Sequence, residues 1–227
     1  MEHVVLRLLL PDNSIIVAAP KTGLLTLRVY AQDNPDLGLK NIPLETWMPE
    51  DYEGRARVVV RDPVLRLASL YMHWMHPQIG PHKLKQFVAG EISAGWQDTQ
   101  APTLFIAAMQ QFVDRYGWIT GSSEHYLNWL EHFLPTGIQL DEPHYRSQTA
   151  TYDFADVLEY IPTPLLSKRL LELCGRPVTF THDNFYTRDG NTQIPYKIRN
   201  HPATVRYAQR YYADDCERWR TVLNLHK

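Results

Sequence analysis

Three side chains in the first third of the sequence are suited to holding an anion. Lys21 belongs to the run PKTG at positions 20–23, and Arg61 is followed eight residues later by Ser69. Lysine and arginine carry positive charge, and a guanidinium can donate two parallel hydrogen bonds to one phosphate. A serine hydroxyl adds a further donor. These residue types therefore indicate a site for a phosphate or sulfate group.

The PKTG loop lies between two segments of different character. The preceding run at 14–19, SIIVAA, is rich in β-branched residues and is typical of a strand buried on both faces, whereas the pattern over 24–31 is helical. The first turn of a helix presents unpaired N–H groups and the positive end of its dipole, and Gly23 permits close approach to a phosphate. The alternative is an ordinary loop with a solvated lysine, and the GxxxxGK[ST] pattern of nucleotide P-loops is absent.

Arg61 opens the second anion-binding element. Residues 61–71, RDPVLRLASLY, follow an apolar run at 57–60, RVVV. The Asp-Pro pair after Arg61 is suited to the N-cap and first position of a helix. Arg61 is therefore expected at the end of a strand and Ser69 on the following helix, where both can bind one phosphate. The alternative is that Arg61 pairs with an acid and that Ser69 is incidental.

Together, PKTG and RDPxxRxxSxY resemble the nucleotide-binding elements of sulfotransferases that use 3′-phosphoadenosine 5′-phosphosulfate (PAPS). The likeness is strongest to the carbohydrate sulfotransferases, which include chondroitin and heparan sulfate enzymes and their bacterial relatives. The resemblance implies PAPS as cofactor, a three-layer, P-loop-like α/β fold, and sulfuryl transfer to a hydroxyl acceptor, either a glycan or a small molecule. It assigns the 3′-phosphate to Arg61 and Ser69. It assigns the 5′-phosphosulfate to Lys21, Thr22, Gly23, Leu24, Leu25 and Thr26.

Weaker likeness extends towards the end of the chain. The segment 143–148, PHYRSQ, resembles the family's HxxxQ segment, and residues 191–192 and 211–215 resemble its last loop and closing helix. On this basis His144 is a candidate base for the acceptor hydroxyl, and Lys21 is the candidate for neutralising charge on the leaving 5′-phosphate. The alternative for His144 is a hydrogen-bonded structural histidine.

The sequence departs from the family pattern in two places. Leu24 and Leu25 stand where the family usually has small hydroxyl residues, which leaves Thr22 and Thr26 as nearby hydroxyls. Asn41 stands where some members carry a catalytic histidine, and asparagine cannot accept a proton near pH 7. A binding protein that keeps the nucleotide or glycan pocket without turnover is therefore one alternative. A P-loop phosphotransferase is a second, which the missing GK[ST] disfavours.

The hydrophobic pattern predicts one α/β domain over residues 1–227, with a mainly parallel sheet and helices on both faces. Its strands include Ile15–Ala18 and Val58–Val60. The other predicted elements are helices at 103–116, 123–134, 163–174 and 207–225, a strand at 152–161 and a surface loop at 183–195. The second of these helices is expected to end at Pro135, and the third to use Thr163 as its N-cap.

Composition argues against several classes of function. The 227 residues carry a formal net charge of −2 at pH 7, so no general basic surface points to nucleic acid. No apolar run reaches the roughly 18 residues of a membrane helix, and the N-terminal apolar run lacks signal-peptide features. Cys174 and Cys216 are too few for a disulfide framework, which favours a reducing, cytoplasmic location. His73, His76 and His82 lack the cysteines or paired carboxylates of a metal site, so no metal is expected.

Overall fold

The computed structural model describes most of the chain. The described residues are 4–43, 56–76, 80–89, 100–118, 122–152, 157–178, 198 and 200–226. They fall into two compact units. The sheet unit comprises the described residues within Val4–Asp62, Ser147–Gly190 and Asp214–Lys227, and the helical unit those within Pro63–Arg146 and Asn191–Ala213. The single domain over 1–227 stays a prediction, and the predicted loop at 183–195, with Asn191 and Thr192, lies outside the described residues.

The sheet has five strands within the described part of the chain. They are β1 Val4–Leu9, β2 Ile15–Ala18, β3 Leu39–Pro43, β4 Ala56–Val60 and β5 Val157–Pro162. Their order across the sheet is β3-β1-β2-β4-β5. β4 is parallel to both β2 and β5, and β1 is antiparallel to both β2 and β3. Four strands therefore run in one direction and β1 opposes them, which confirms the α/β class, the mostly parallel sheet and both predicted strands.

The α-helices of the described residues have the following bounds: α1 Leu24–Asp33, α2 Pro63–Met75, α3 Gly80–Val88, α4 Ala101–Tyr116, α5 Ser123–Asn128, α6 Leu134–Gln139, α7 Gln148–Thr151, α8 Leu166–Cys174, α9 Pro202–Tyr211 and α10 Ala213–Leu225. A π-helical segment, Trp129–Phe133, joins α5 to α6, and a 3₁₀ turn, Thr163–Leu165, precedes α8. No described helix is long and apolar enough to cross a membrane.

Alternation along the strands places apolar side chains on both faces of the sheet. On one face Ile16 and Val59 pack in a buried cluster with Leu27 of α1 and Leu166 of α8. On the other face the neighbouring strand residues Val17 and Val58 pack with Val222 of α10. Full burial of such side chains contributes roughly 1.5–3 kcal/mol each. The prediction of helices on both faces of the sheet is confirmed within this unit.

Pro135 does not end the helix that the sequence predicts over 123–134. The chain stays helical to Gln139 because the turn before the proline widens to π geometry, in which the Leu134 N–H bonds to the Trp129 carbonyl five residues back. Proline cannot donate to the regular ladder and its ring crowds the carbonyl four residues earlier, so the widened turn accommodates it.

Two other predicted boundaries were wrong. The last helix is not continuous over 207–225, because the backbone turns at Tyr212 (φ −133°, ψ 43°) between α9 and α10. Of the strand predicted over 152–161, the structure describes Val157–Pro162 as a strand, whereas Tyr152 follows α7 with its side chain buried. The helix predicted from 163 to 174 ends as expected at Gly175, which takes the left-handed conformation with φ 69°.

Candidate anion-binding site

The PKTG loop and Arg61 meet at one edge of the sheet. β2 and β4 are adjacent parallel strands, with Ala18 opposite Val59, so their carboxyl ends lie side by side. The loop follows β2 and Arg61 follows β4. The Arg61 side chain contacts the loop directly, because its Nη1 donates a hydrogen bond to the carbonyl oxygen of Lys21 over 3.1 Å. The structure therefore brings together two of the elements that the sequence singled out.

The loop backbone has a conformation that favours glycine. Lys21 has φ 69°, in the left-handed region, and Gly23 has φ 126°. A Cβ atom added at Gly23 would lie 3.0 Å from Cδ2 of Leu166 and 3.3 Å from Cγ1 of Val59. The positive φ and the close contacts with Leu166 and Val59 both favour glycine at position 23, whether or not a ligand approaches the backbone there. The loop leads directly into α1, for which no side-chain cap is formed at Gly23.

The hydroxyl of Thr22 bonds inside the loop. The side chain is fully buried, and its Oγ1 donates to the carbonyl of Ala19 over 2.9 Å. The same Oγ1 lies 3.2 Å from the phenolic oxygen of Tyr152. Thr26, one helical turn further on, is also buried. Thr22 thus shapes the loop, and backbone N–H groups at the start of α1 are the donors best suited to a ligand here.

Tyr152 and Thr163 anchor the loop to β4, and the sequence did not predict either contact. The Tyr152 hydroxyl accepts from the N–H of Ala19 and donates to the carbonyl of Val59 over 3.1 Å. Oγ1 of Thr163 lies 2.9 Å from both the Thr22 and the Val60 carbonyl oxygens. Thr163 is therefore not the helix N-cap that was predicted. The one available signal was that a tyrosine buried in an apolar run needs a partner for its hydroxyl.

Leu24 and Leu25 are both half-buried in the first turn of α1. Leu24 packs against the core cluster that joins α1, α8 and one face of the sheet. At position 24 a leucine therefore packs against the core and stabilises the fold.

The side-chain amide of Gln148 bonds to both the main-chain N–H and the main-chain carbonyl of Arg61. Its Oε1 accepts from the Arg61 N–H over 2.7 Å, and its Nε2 donates to the Arg61 carbonyl over 2.8 Å. This pair of bonds resembles the pairing of a neighbouring strand and fixes the residue just beyond the end of β4. The sequence drew attention to Gln148 only as the last residue of the HxxxQ segment.

Ser69 is described within the helical unit, where it lies on α2 and is 7% exposed. Arg61 belongs to the sheet unit. The shared binding of one phosphate by Arg61 and Ser69 stays a prediction.

Asn41 lies in β3, level with Leu6 of β1, which is in turn paired with Ala18 of β2. The main chain of Asn41 therefore lies two strand spacings, or about 10 Å, from β2, the strand that leads into the PKTG loop.

His144 forms a carboxylate–histidine pair within the helical unit. Its Nδ1 lies 2.8 Å from Oε1 of Glu142, and its main-chain N–H donates to Oε2 of the same carboxylate over 2.8 Å. Glu142 is fully buried. A carboxylate at Nδ1 favours the tautomer with the proton on that nitrogen, so Nε2 carries the lone pair that a general base requires.

Neighbouring side chains fix the position of His144. Its ring centroid lies 4.7 Å from that of His73 and 5.7 Å from that of Trp74. The buried Arg66 donates from Nη2 to the His144 carbonyl over 2.9 Å and also bonds to the Arg146 carbonyl. The arginine inside RDPxxR therefore holds the loop that carries His144.

Among the described residues, no group of three or more His, Cys, Asp or Glu side chains is placed to hold a metal ion. In comparisons with known proteins, no family model, no curated protein and no solved structure matches the chain.

Proposed function

We propose that this chain binds PAPS and transfers its sulfuryl group to a hydroxyl group of a carbohydrate acceptor. The 5′-phosphosulfate binds at Lys21, Gly23 and the first turn of α1, and the 3′-phosphate binds at Arg61. The observation that carries the proposal is the hydrogen bond from the Arg61 guanidinium to the Lys21 carbonyl, which joins the ends of two adjacent parallel strands.

The location and the charge of this edge both support the proposal. Open α/β sheets bind ligands outside the carboxyl ends of their strands, which is where the loop and Arg61 lie. The N-terminus of α1, Lys21 and Arg61 together supply positive potential for a ligand with several negative charges. The bond to the Lys21 carbonyl restricts the direction of the guanidinium, which reduces the entropy lost when a phosphate binds.

The transfer step needs positioning and charge stabilisation more than covalent chemistry on the protein. The acceptor oxygen attacks the sulfur while the bond from sulfur to the bridging 5′-phosphate oxygen breaks. The product 3′,5′-ADP leaves with that electron pair, and Lys21 stabilises the charge that develops on its 5′-phosphate. His144 is the proposed base for the acceptor proton, because Glu142 favours the tautomer with the lone pair on Nε2.

A second candidate function is nucleotide binding without turnover. Two observations favour it: the Thr22 hydroxyl bonds within the loop, and Leu24 packs in the core where the family usually has a hydroxyl residue. In that case backbone N–H groups and the positive charge of Lys21 would hold the phosphosulfate. Fewer side-chain hydroxyls would then be available to stabilise the sulfuryl group during transfer.

Calorimetric titration with PAPS, 3′,5′-ADP and ATP, followed by an assay for sulfated product, separates the candidates. The proposal predicts that PAPS and 3′,5′-ADP bind and that ATP binds more weakly. Product formed with a sugar acceptor supports the transferase, and binding without product supports the second candidate. Tighter binding of ATP than of 3′,5′-ADP would favour a P-loop phosphotransferase instead.

A further inference from the structure

Asp215 holds the start of the short helix α7. Its side chain is 3% exposed, and its two oxygens accept from consecutive backbone N–H groups: Oδ2 from Gln148 over 2.8 Å and Oδ1 from Thr149 over 2.7 Å. Helix α7 has only four residues, so it cannot be stable by itself. A buried carboxylate with two charge-assisted bonds to its first turn is therefore a principal restraint on its position.

Gln148, the first residue of α7, connects the helix to Arg61 through its side chain. Its side chain is buried, and its amide bonds to both the N–H and the carbonyl of Arg61. No residue of the neighbouring strands is paired with Arg61, because β2 ends at Ala18, which is paired with Val59, and β5 ends at Pro162, which is paired with Val60. Gln148 supplies the donor and the acceptor that the next strand residue would have supplied.

We infer that Asp215 and Gln148 are positioning residues for Arg61. The connection runs through hydrogen bonds from the Asp215 carboxylate to the backbone of Gln148, from the Gln148 amide to the backbone of Arg61, and from the Arg61 guanidinium to the Lys21 carbonyl. This inference rests on the proposed function, since it takes Arg61 as a ligand of the nucleotide 3′-phosphate. It gives the closing helix α10 a direct part in nucleotide selectivity.

Two substitutions interrupt the connection at different points. Asp215→Asn replaces one acceptor oxygen with an NH₂ group that opposes a backbone N–H. Gln148→Met keeps the length of the side chain and removes both bonds to Arg61. The matched control is Asp214→Asn, which changes the adjacent carboxylate in the first turn of the same helix, where the side chain is exposed.

The experiment measures the ratio of affinities for 3′,5′-ADP and 5′-AMP by calorimetry in the full chain and its three variants. The exchange rate of the Arg61 amide proton is followed by NMR in the same samples. Both Asp215→Asn and Gln148→Met are expected to lower the affinity ratio about 10- to 100-fold, by analogy with the loss of residues that orient the ligands of a metal ion. The same variants should speed exchange at Arg61, and Asp214→Asn should change neither quantity.

An unchanged affinity ratio in Asp215→Asn and Gln148→Met would overturn the inference. Melting temperatures are recorded beside the affinities, and a loss of selectivity at an unchanged affinity for 5′-AMP supports positioning over general unfolding. If the wild-type chain itself shows no preference for 3′,5′-ADP, the proposed function has failed. The exchange data then test the hydrogen-bonded connection from Asp215 to Arg61 independently of nucleotide binding. Faster exchange of the Arg61 amide proton in Asp215→Asn and Gln148→Met supports the connection, and unaltered exchange contradicts it.

Discussion

The guanidinium of Arg61 donates to the main-chain carbonyl of Lys21 over 3.1 Å, although the two residues are 40 positions apart in the chain. The contact exists because β2 and β4 are adjacent and parallel, so that the residues following each strand share one edge of the sheet. A lysine, an arginine and a helix N-terminus thus come together where open α/β sheets bind ligands.

The conformation of Gly23 leads to a stability prediction. Gly23→Ala should lower the free energy of unfolding by about 2–4 kcal/mol, because the new methyl group adds backbone strain at φ 126° and contacts Leu166 at 3.0 Å. The control is Gly175→Ala, where φ is 69° and no atom lies within 4 Å of the added Cβ, so a cost of about 1–2 kcal/mol is expected. Urea unfolding measures both, and equal costs would refute the packing argument.

The two leucines after Gly23 should respond differently to restored hydroxyls. Leu24→Ser should lower the melting temperature because Leu24 packs on the core. Leu25→Thr should strengthen binding of PAPS more than binding of 3′,5′-ADP, since only PAPS carries the sulfuryl oxygens at that end. One new hydrogen bond to a charged group is worth roughly 1.5–3 kcal/mol. Calorimetry with both nucleotides tests this, and an equal change for the two would rule out a contact to the sulfuryl group.

His144 is expected to affect turnover and not nucleotide affinity. His144→Asn should lower kcat for sulfuryl transfer about 10²- to 10⁴-fold, the usual contribution of a general base, with the Kd for PAPS unchanged. Glu142→Gln should also lower kcat, because it removes the carboxylate that sets the histidine tautomer. His82→Asn on α3, where the side chain is exposed, is the control. A kcat for His144→Asn equal to wild type would exclude His144 as the base.

A buried histidine in the helical unit should make stability depend on pH. Nε2 of His125 lies 2.9 Å from the Gly117 carbonyl, so Nδ1 accepts from the Tyr71 hydroxyl over 2.7 Å. Burial lowers the pKa of His125 below its ordinary value of 6.5, despite the opposing effect of the bond to Gly117. Below about pH 6.5 the unfolded chain therefore binds the proton more readily than the folded chain, and stability falls as the pH decreases.

Urea unfolding at pH 7.5 and at pH 5 measures this effect. His125→Gln should reduce the difference in unfolding free energy between the two pH values. His132→Gln, which changes an exposed histidine stacked on Tyr116, should leave the difference as in wild type. A pH dependence that persists unaltered in His125→Gln would show that other groups cause it.

Local patterns were sufficient for the elements that carry Lys21 and Arg61. The runs at 15–18 and 58–60 are short, apolar and β-branched, each is followed by helix-starting residues, and both are strands. The parallel arrangement of these strands then follows from the usual βαβ connection. The position of the loop and of Arg61 at one edge of the sheet could therefore be predicted from sequence.

The supporting contacts could not be predicted, because they join residues far apart in the chain. Gln148 bonds to Arg61 across 87 positions, and the Tyr152 hydroxyl reaches Ala19 across 133. Nothing in the local pattern around Thr163 distinguishes a helix cap from a donor to the carbonyls of Thr22 and Val60. The π-helical turn before Pro135 is similarly a tertiary solution, since the proline alone favours an end to the helix.

The central claim is that Arg61 recognises a 3′-phosphate, and one calorimetric comparison tests it most directly. Wild-type chain is titrated with 3′,5′-ADP and with 5′-AMP, and the titrations are repeated with Arg61→Ala. We expect wild type to prefer 3′,5′-ADP and the variant to lose that preference, at a cost of about 2–4 kcal/mol for a bidentate, charge-assisted contact. Equal affinity of the wild-type chain for the two nucleotides would contradict the account.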